Sequence, residues 1–121
     1  MGITREFAEQ FAREWIAAWN AHDLPRVLAH YTDDFEMSSP YIQELMQEPS
    51  GKLKGKESIA AYWLRALERR PDLKFELRHV LAGTSSVVVC YLSHSGCKAA
   101  EVFFFNDQRL VERAAAHYCA D

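Results

Sequence analysis

Apolar and polar residues alternate with a helical period in the first twenty residues of the chain. Four aromatic residues are spaced four apart: Phe7, Phe11, Trp15 and Trp19. Charged residues fall between them, so one face of this segment is apolar and the others are polar. The spacing predicts a long amphipathic helix, with Thr4 as its N-cap.

Two further helices are predicted from the same kind of spacing. The second helix should follow Asp23 as its cap, with Pro25 in its first turn, where a missing N–H group costs little. Its apolar positions are Leu24, Val27, Leu28 and Tyr31. The third helix should end before Pro71. Its apolar stripe consists of Ile59, Tyr62, Trp63, Ala66 and Leu67.

The remaining pattern is typical of strands. A short strand is predicted at 35–38, before Pro40, and four more follow at about 73–82, 86–93, 98–105 and 110–119. Strands that succeed one another through short turns pair antiparallel. We therefore predict an α+β fold with three N-terminal helices packed on one face of a curved antiparallel sheet. The segment 41–54, interrupted by Pro49, Ser50 and Gly51, is expected to be a partly ordered loop.

The composition indicates a single domain over residues 1–121. A hydrophobic fraction of 49% and a charged fraction of 26% exclude wholesale disorder. The net charge is −3, and the basic clusters at 52–56 and 69–70 are short. We interpret these clusters as solvated charge rather than a nucleic-acid surface. Because no run approaches the ~20 apolar residues of a membrane span, no membrane partner is expected either.

The cysteines and histidines show no metal-binding pattern. Cys90, Cys97 and Cys119 are odd in number and lack CxxC spacing, so we predict neither a disulfide framework nor a zinc site. The histidines form no HExxH motif. We expect no metal, no cofactor and a location in the reducing cytoplasm.

Glu101 is the strongest candidate for a catalytic group. It lies within the most apolar predicted strand and shares a face with Phe103 and Phe105 by period-two alternation. A carboxyl group there is either exposed or ion-paired near a strand end, or held in an apolar cavity. In a cavity, burial raises its pKa into a range useful for acid–base chemistry.

The residues opposite Glu101 depend on the turn at 106–108. A three-residue turn pairs Glu101 with Arg113 and places His117 on the same face, where His117 could relay protons. A four-residue turn pairs Glu101 with Ala114 and sends Arg113 and His117 to the other face. We favour the shorter turn. An Arg113 partner would keep Glu101 ionised, against the effect of burial.

Val102 and Phe104 then point to the outer face of the sheet. An exposed apolar face of this kind usually marks an interface. We therefore predict a homodimer packed sheet to sheet, with cover by the segment 41–54 as the alternative.

A family resemblance is carried by the segment from Trp15 to Pro40, WIAAWNAHDLPRVLAHYTDDFEMSSP. It resembles the nuclear transport factor 2-like superfamily, in its SnoaL-like and ketosteroid-isomerase-like branch. The sequences at 55–59 and 104–107 support the resemblance, which covers nearly the whole chain. It implies a cystatin-like cone whose sheet wraps around the long helix and leaves a pocket, commonly in a dimer.

The isomerase pattern can be carried over position by position. Ser39 stands where that branch has its general-base aspartate, and Trp15 stands where it has a tyrosine that donates to the oxyanion. Glu101 matches the aspartic acid of the same oxyanion hole, and Tyr31 and Trp63 match aromatic pocket positions. A serine without a paired base cannot abstract a carbon-bound proton at pH 7. The resemblance therefore does not imply steroid-type isomerisation.

What it implies is an apolar pocket for a small hydrophobic molecule. Glu101 and His117 are the candidate catalytic residues. The candidate substrate-binding residues are Trp15, Tyr31, Ser39, Trp63, Phe103 and Arg113. Three functions stay open: an acid–base enzyme such as a hydrolase, dehydratase or cyclase, a non-catalytic binding protein, and a dimeric interaction domain whose own rings fill the cavity.

Overall fold

The computed structural model describes residues 2–93 and 96–119. The helices are α1 (Arg5–Asn20), α2 (Leu24–Leu28), α3 (Pro40–Leu45) and α4 (Lys56–Arg69). The strands are β1 (Tyr31–Ser38), β2 (Lys52–Lys54), β3 (Glu76–Ala82), β4 (Ser86–Leu92), β5 (Lys98–Phe105) and β6 (Val111–Tyr118). The connection between the strands predicted at 86–93 and 98–105 lies partly outside the described residues. In the described ranges, no helix is long and apolar enough to cross a membrane.

The strands form one curved sheet in the order β2-β1-β6-β5-β4-β3. The predicted α+β, cystatin-like architecture is confirmed. The prediction of a fully antiparallel sheet was wrong for one pair of strands, because β1 pairs with β6 in parallel. β1 follows the first two helices and has no hairpin connection to β6, so no short turn imposes an antiparallel orientation.

Helix α1 lies on the concave face of the sheet. The Thr4 hydroxyl oxygen accepts a hydrogen bond from the Phe7 N–H group at 3.1 Å, which confirms the predicted cap. The Phe11 ring meets Phe103 at 4.8 Å and Phe105 at 5.0 Å between ring centres, both edge to face. This geometry is the favourable one for aromatic pairs, and it joins the predicted helix stripe to β5.

Helix α2 is shorter than its pattern predicts. Asp23 caps it, with the carboxylate accepting from the Arg26 N–H group at 3.2 Å, but the helix ends at Leu28. Tyr31, predicted as its last apolar position, begins β1 and pairs with Val111 of β6. Pairing with β6 therefore overrides the local helical period.

The segment 41–54 is more ordered than predicted. It contains most of α3 and all of β2, so four helices rather than three precede β3 in the described ranges. The Ser39 hydroxyl oxygen caps α3 by accepting from the Tyr41 N–H group at 3.2 Å, and Pro40 occupies the first turn. Gly51, with φ of +71°, supplies the left-handed turn before β2.

The connection between β5 and β6 is a five-residue loop, not the predicted three-residue turn. The Asn106 N–H group donates to the Leu110 carbonyl at 2.8 Å. The Asn106 side-chain oxygen accepts from the N–H groups of Gln108 at 2.9 Å and Leu110 at 3.0 Å. Arg109 adopts a left-handed conformation with φ of 63°. Asn106 thus closes a longer loop through its own side chain.

This loop changes the register of the last strand. Phe105 pairs with Val111, and an irregularity precedes that pair, so Glu101 faces Ala116 rather than Arg113. A shift by an odd number of residues exchanges the two faces of a strand. The favoured three-residue turn was therefore wrong, and the faces follow the alternative that the sequence left open.

The outer face of the sheet carries half-buried apolar side chains, among them Val102 and Phe104. Their predicted orientation is confirmed, and the Arg113 guanidinium lies 4.0 Å from the centre of the Phe104 ring. Helix α3, from the segment 41–54, lies on the opposite side, because Tyr41 contacts Tyr118 at 4.6 Å between ring centres. The predicted homodimer stays a prediction.

Cys97 and Cys119 form a disulfide, which the predicted absence of a disulfide framework did not anticipate. They are 22 residues apart in sequence, but the pairing of β5 with β6 brings their Cα atoms to 6.0 Å. Cys90 is free. Disulfides are rare in reducing compartments. The cysteines therefore no longer support the cytoplasmic location, which stays a prediction.

Replacing both cysteines with serine (Cys97→Ser, Cys119→Ser) should lower the free energy of unfolding by about 3 kcal/mol, because the bridge restricts the unfolded chain. Urea denaturation without reductant measures the loss. Cys90→Ser is the control and should leave the stability close to that of the wild type. Three titratable thiols in unfolded, unreduced protein would contradict the disulfide.

Candidate functional site

A cavity of about 190 Å³ opens between α1, α4 and the concave face of the sheet. Its walls are mainly aromatic. The rings that line it include those of Trp15, Trp19, Tyr62, Trp63, Phe75, Tyr91 and Tyr118. A concave apolar site with a few polar groups is the usual form of a small-molecule site.

Glu101 lies in this wall, in the middle of β5. Its neighbours across the sheet are Val89 on β4 and Ala116 on β6, neither of which offers a charge. Only 3% of Glu101 is exposed. Burial raises the pKa of its carboxyl group to about 8, against a small opposing effect of a hydrogen bond from Tyr91. Glu101 is therefore mainly a neutral carboxylic acid at pH 7.

Tyrosine hydroxyl groups surround the carboxyl group. The Tyr91 hydroxyl donates to Glu101 Oε1 at 3.4 Å, and Tyr118 also lines this part of the cavity. Burial, reinforced by the nearby Glu101, raises the pKa of both phenols well above the usual range. Both tyrosines therefore keep their protons, and this wall of the cavity presents neutral hydrogen-bond donors.

Ser39 does not reach the cavity as predicted. Its hydroxyl oxygen caps α3 and also accepts from the Tyr62 hydroxyl at 3.2 Å. Ser39 is not among the described residues that line the cavity, whereas Tyr62 is. Its polar atom therefore supports the lining tyrosine and does not face a ligand.

The predicted aromatic residues divide into lining and support. Trp15 and Trp63 line the cavity, but the Trp15 N–H group donates to the Tyr31 hydroxyl at 3.0 Å and is not free for a substrate. Tyr31 and Phe103 are buried behind the wall, with ring centres 5.3 Å from Trp63 and 5.2 Å from Trp15, respectively. They hold the two tryptophan rings in place.

Arg113 and His117 were predicted at the site, and their placement there was wrong. Both are exposed on the outer face of the sheet, where Arg113 covers Phe104 and His117 pairs with Ala100. The register of the β5–β6 pair puts them on the side of β6 opposite Glu101. Among residues 2–93 and 96–119, no arginine, lysine or histidine lies within 4.0 Å of the Glu101 carboxyl oxygens.

The mouth of the cavity carries charge at the end of α4. Arg69 and Arg70, interpreted from the sequence as solvated charge, are exposed and also line the cavity. The Arg69 guanidinium lies 3.6 Å from Glu44 of α3. Arg69 and Arg70 are therefore in contact with solvent and also form part of the cavity wall.

Four lining tyrosines, Tyr41, Tyr62, Tyr91 and Tyr118, were not predicted as site residues, although the sequence contains a signal for the last three. Tyr91 falls on the same face of β4 as Val89, and Tyr118 falls on the same face of β6 as Ala116. Tyr62 belongs to the apolar stripe predicted for the helix that the structure shows as α4. Alternation identifies the inner face of each strand, but only the correct register shows which of these faces meet.

No three His, Cys, Asp or Glu side chains come together as a metal site in the portion of the chain that the structure describes. At the inner end of the cavity, the polar groups are the Glu101 carboxyl group and the phenols of the lining tyrosines. These groups can donate hydrogen bonds or a proton to an oxygen atom of a bound molecule.

The fold is matched by known proteins. A family model for the SnoaL-like domain matches residues 12–113. The chain belongs to the SnoaL-like family, which confirms the resemblance found in the sequence. No curated protein matches the sequence.

Solved structures agree with this assignment. A SnoaL-like protein of unknown function from Burkholderia thailandensis is 53% identical, with a TM-score of 0.95 over 99% of this chain and 100% of that chain. A protein of unknown function with a cystatin-like fold from Methylobium petroleophilum is 16% identical, with a TM-score of 0.76 over 100% and 81%. A candidate polyketide cyclase from Sinorhizobium meliloti is 12% identical, with a TM-score of 0.73 over 89% and 94%. The last two show the fold alone.

Glu101→Gln should change how stability depends on pH. The folded-state pKa of Glu101 is about 8, above its usual 4.5, so the folded chain keeps a proton that the unfolded chain releases. The wild type should therefore lose stability relative to Glu101→Gln as pH rises from 5 to 8, by about 1.4 kcal/mol per pH unit, and the difference should level off above pH 8. Urea denaturation at five pH values from 5 to 9 measures this. A constant difference between the two proteins would contradict a buried neutral Glu101.

Proposed function

We propose that the chain binds a small hydrophobic molecule in the cavity and that neutral Glu101 acts on an oxygen atom of that molecule as a general acid. The observation that carries this proposal is the Glu101 carboxyl group, which is buried in the cavity wall with a pKa near 8 and no cationic partner among the described residues. A general acid is most effective when its pKa lies near the working pH.

The chemistry follows from the groups around Glu101. The acid transfers its proton to a hydroxyl, epoxide or carbonyl oxygen as a C–O bond breaks or a C–C bond forms. The resulting carboxylate is stabilised by the hydrogen bond from Tyr91, 3.4 Å away. It regains a proton from the product or from water. Dehydration, epoxide opening and aldol-type cyclisation fit this sequence of steps.

Non-catalytic binding is the second candidate function, and one observation favours it. Ser39 caps α3 and His117 lies on the outer face, so neither serves as a base beside Glu101. On the described wall of the cavity, the remaining carboxylate is Glu44, which pairs with Arg69 at the mouth. A binding protein needs the same cavity and the same hydrogen bond from Glu101 but no proton transfer.

The protonation state of Glu101 can be tested with a ligand that carries a carbonyl group and has no titratable group of its own. The affinity of 2-acetylnaphthalene should be constant up to about pH 8 and then fall about tenfold per pH unit, because the ionised carboxylate cannot donate to the carbonyl oxygen. Glu101→Gln, which keeps an N–H donor, should bind with little pH dependence. Quenching of the fluorescence of the cavity tryptophans measures both. Affinity of the wild type that is independent of pH from 6 to 9 would sink the proposal.

The same variant separates the two candidate functions. If Glu101 transfers its proton to the substrate, Glu101→Gln should turn over small aromatic epoxides and β-hydroxy ketones about 10²-fold or more slowly than the wild type. The matched control Cys90→Ser changes a residue on the outer side of β4 and should keep the wild-type rate. Binding that depends on Glu101, without turnover of any of these compounds, favours the binding protein.

We also propose that the outer face of the sheet packs against a second copy of the chain. The proposal is supported by Val88, Val102 and Phe104, which are half-buried and apolar on the face away from α1. Phe104→Lys should shift the protein from dimer to monomer in sedimentation velocity at micromolar concentration, because it puts a charge into the apolar face. Leu64→Lys on exposed α4 is the control and should stay dimeric. A monomeric wild type would rule out the dimer.

A further inference from the structure

The two ends of the cavity differ in charge. At the inner end lie the Glu101 carboxyl group, neutral at pH 7, and the Tyr91 hydroxyl. At the mouth lie the side chains of Arg69, Arg70 and Glu44. These last three are the ionised side chains among the described lining residues, so the mouth has a net positive charge. The chain as a whole has a net charge of −3, and the positive mouth is therefore a local feature.

The two arginines at the mouth are not equivalent. Arg69 is engaged by Glu44 at 3.6 Å. For Arg70, no carboxylate lies within 4.0 Å of the guanidinium among residues 2–93 and 96–119. A guanidinium offers five N–H donors in a planar fork that matches a carboxylate. Arg70 can therefore bind an acidic group without first releasing a partner carboxylate in the described part of the chain.

The backbone after Arg70 is fixed to the end of α1. The Arg70 carbonyl accepts from the Leu73 N–H group at 3.0 Å, and the Leu73 carbonyl accepts from His22 Nε2 at 2.8 Å. The Asn20 side chain donates to the Phe75 carbonyl at 3.0 Å and accepts from the Phe75 N–H group at 2.7 Å. These bonds hold the mouth in place before a ligand arrives, which reduces the entropy lost on binding.

A continuous aromatic wall joins the two ends. The Phe75 ring lies 4.6 Å from Tyr91, whose hydroxyl contacts Glu101, and 5.8 Å from Trp15. On the other side, Trp19 lies 5.2 Å from Trp63. Rings of this kind bind a flat apolar body by stacking and edge contacts.

We infer that the ligand is an aromatic or polycyclic carboxylic acid that places a carbonyl oxygen at Glu101 and its carboxylate at Arg70. The inference rests on the proposed function and names the ligand class of the same cavity. The carbonyl groups at the end of α4 themselves disfavour an anion. The carboxylate is therefore held by the guanidinium, and Arg70 determines the preference for an acid over a neutral analogue.

Two matched probes test the inference: 6-acetyl-2-naphthoate and its uncharged amide, 6-acetyl-2-naphthamide. At pH 7 and low salt, the wild type should bind the carboxylate about tenfold more tightly than the amide, because a charged hydrogen bond to Arg70 is added. Arg70→Gln should remove this difference, because it weakens binding of the carboxylate more than binding of the amide. Arg78→Gln makes the same change of charge at an exposed arginine on β3 and should keep the full preference. Tryptophan fluorescence quenching measures all six dissociation constants.

The outcomes separate this inference from the proposed function. Equal affinity of the wild type for the two probes, equal effects of Arg70→Gln and Arg78→Gln, or no binding of either probe at millimolar concentration would each overturn the inference. Glu101→Leu tests the proposed function and should lower the affinity for both probes by the same factor. Circular dichroism is the control for folding. Glu101→Leu could leave the affinity for both probes unchanged while Arg70→Gln removes the preference for the carboxylate. In that case the proposed contact of the ligand with Glu101 is wrong, and the contact of its carboxylate with Arg70 is supported.

Discussion

The pairing of β5 with β6 is the constraint on which the site depends. Asn106 closes the loop between these strands through its own side chain, and this closure sets which residues of β6 face α1. Glu101 therefore sits between Val89 and Ala116 and lacks the cation that another register would supply. A carboxyl group buried without a cation keeps its proton. The loop thus determines the protonation state of the central group of the cavity.

The rest of the cavity follows from this neutral acid. Phenols can surround it without losing their own protons, so Tyr91 and Tyr118 add donors and no charge. The aromatic rings extend from the acid to the mouth. At the mouth, the cavity is bordered by the charged, solvent-exposed side chains of Arg69 and Arg70. Under the proposed function, the uncharged inner end and the charged mouth orient a molecule that is apolar in its middle.

Local patterns predicted much of the fold and part of the site. The aromatic stripe of α1, the caps at Thr4 and Asp23 and the alternation in β5 depend on neighbours within a few residues, and all agree with the structure. Glu101 was found because a carboxyl group interrupts an apolar alternation. Arg113 and His117 were misplaced because their position depends on the length of one loop. The disulfide between Cys97 and Cys119 was missed for a related reason, since strand pairing brings them together.

The sequence by itself determined the α+β class and the inner and outer faces of most elements, and it singled out Glu101 as a candidate, because hydrophobic periodicity acts along the chain. Only the tertiary structure decided the parallel contact of β1 with β6, the hydrogen bond from the Tyr62 hydroxyl to Ser39 and the grouping of tyrosines around Glu101. Each of these depends on which distant segments become neighbours. A shift of one residue in a strand exchanges its faces at almost no local cost, so the register and the surroundings of Glu101 are selected by the packing of the whole domain.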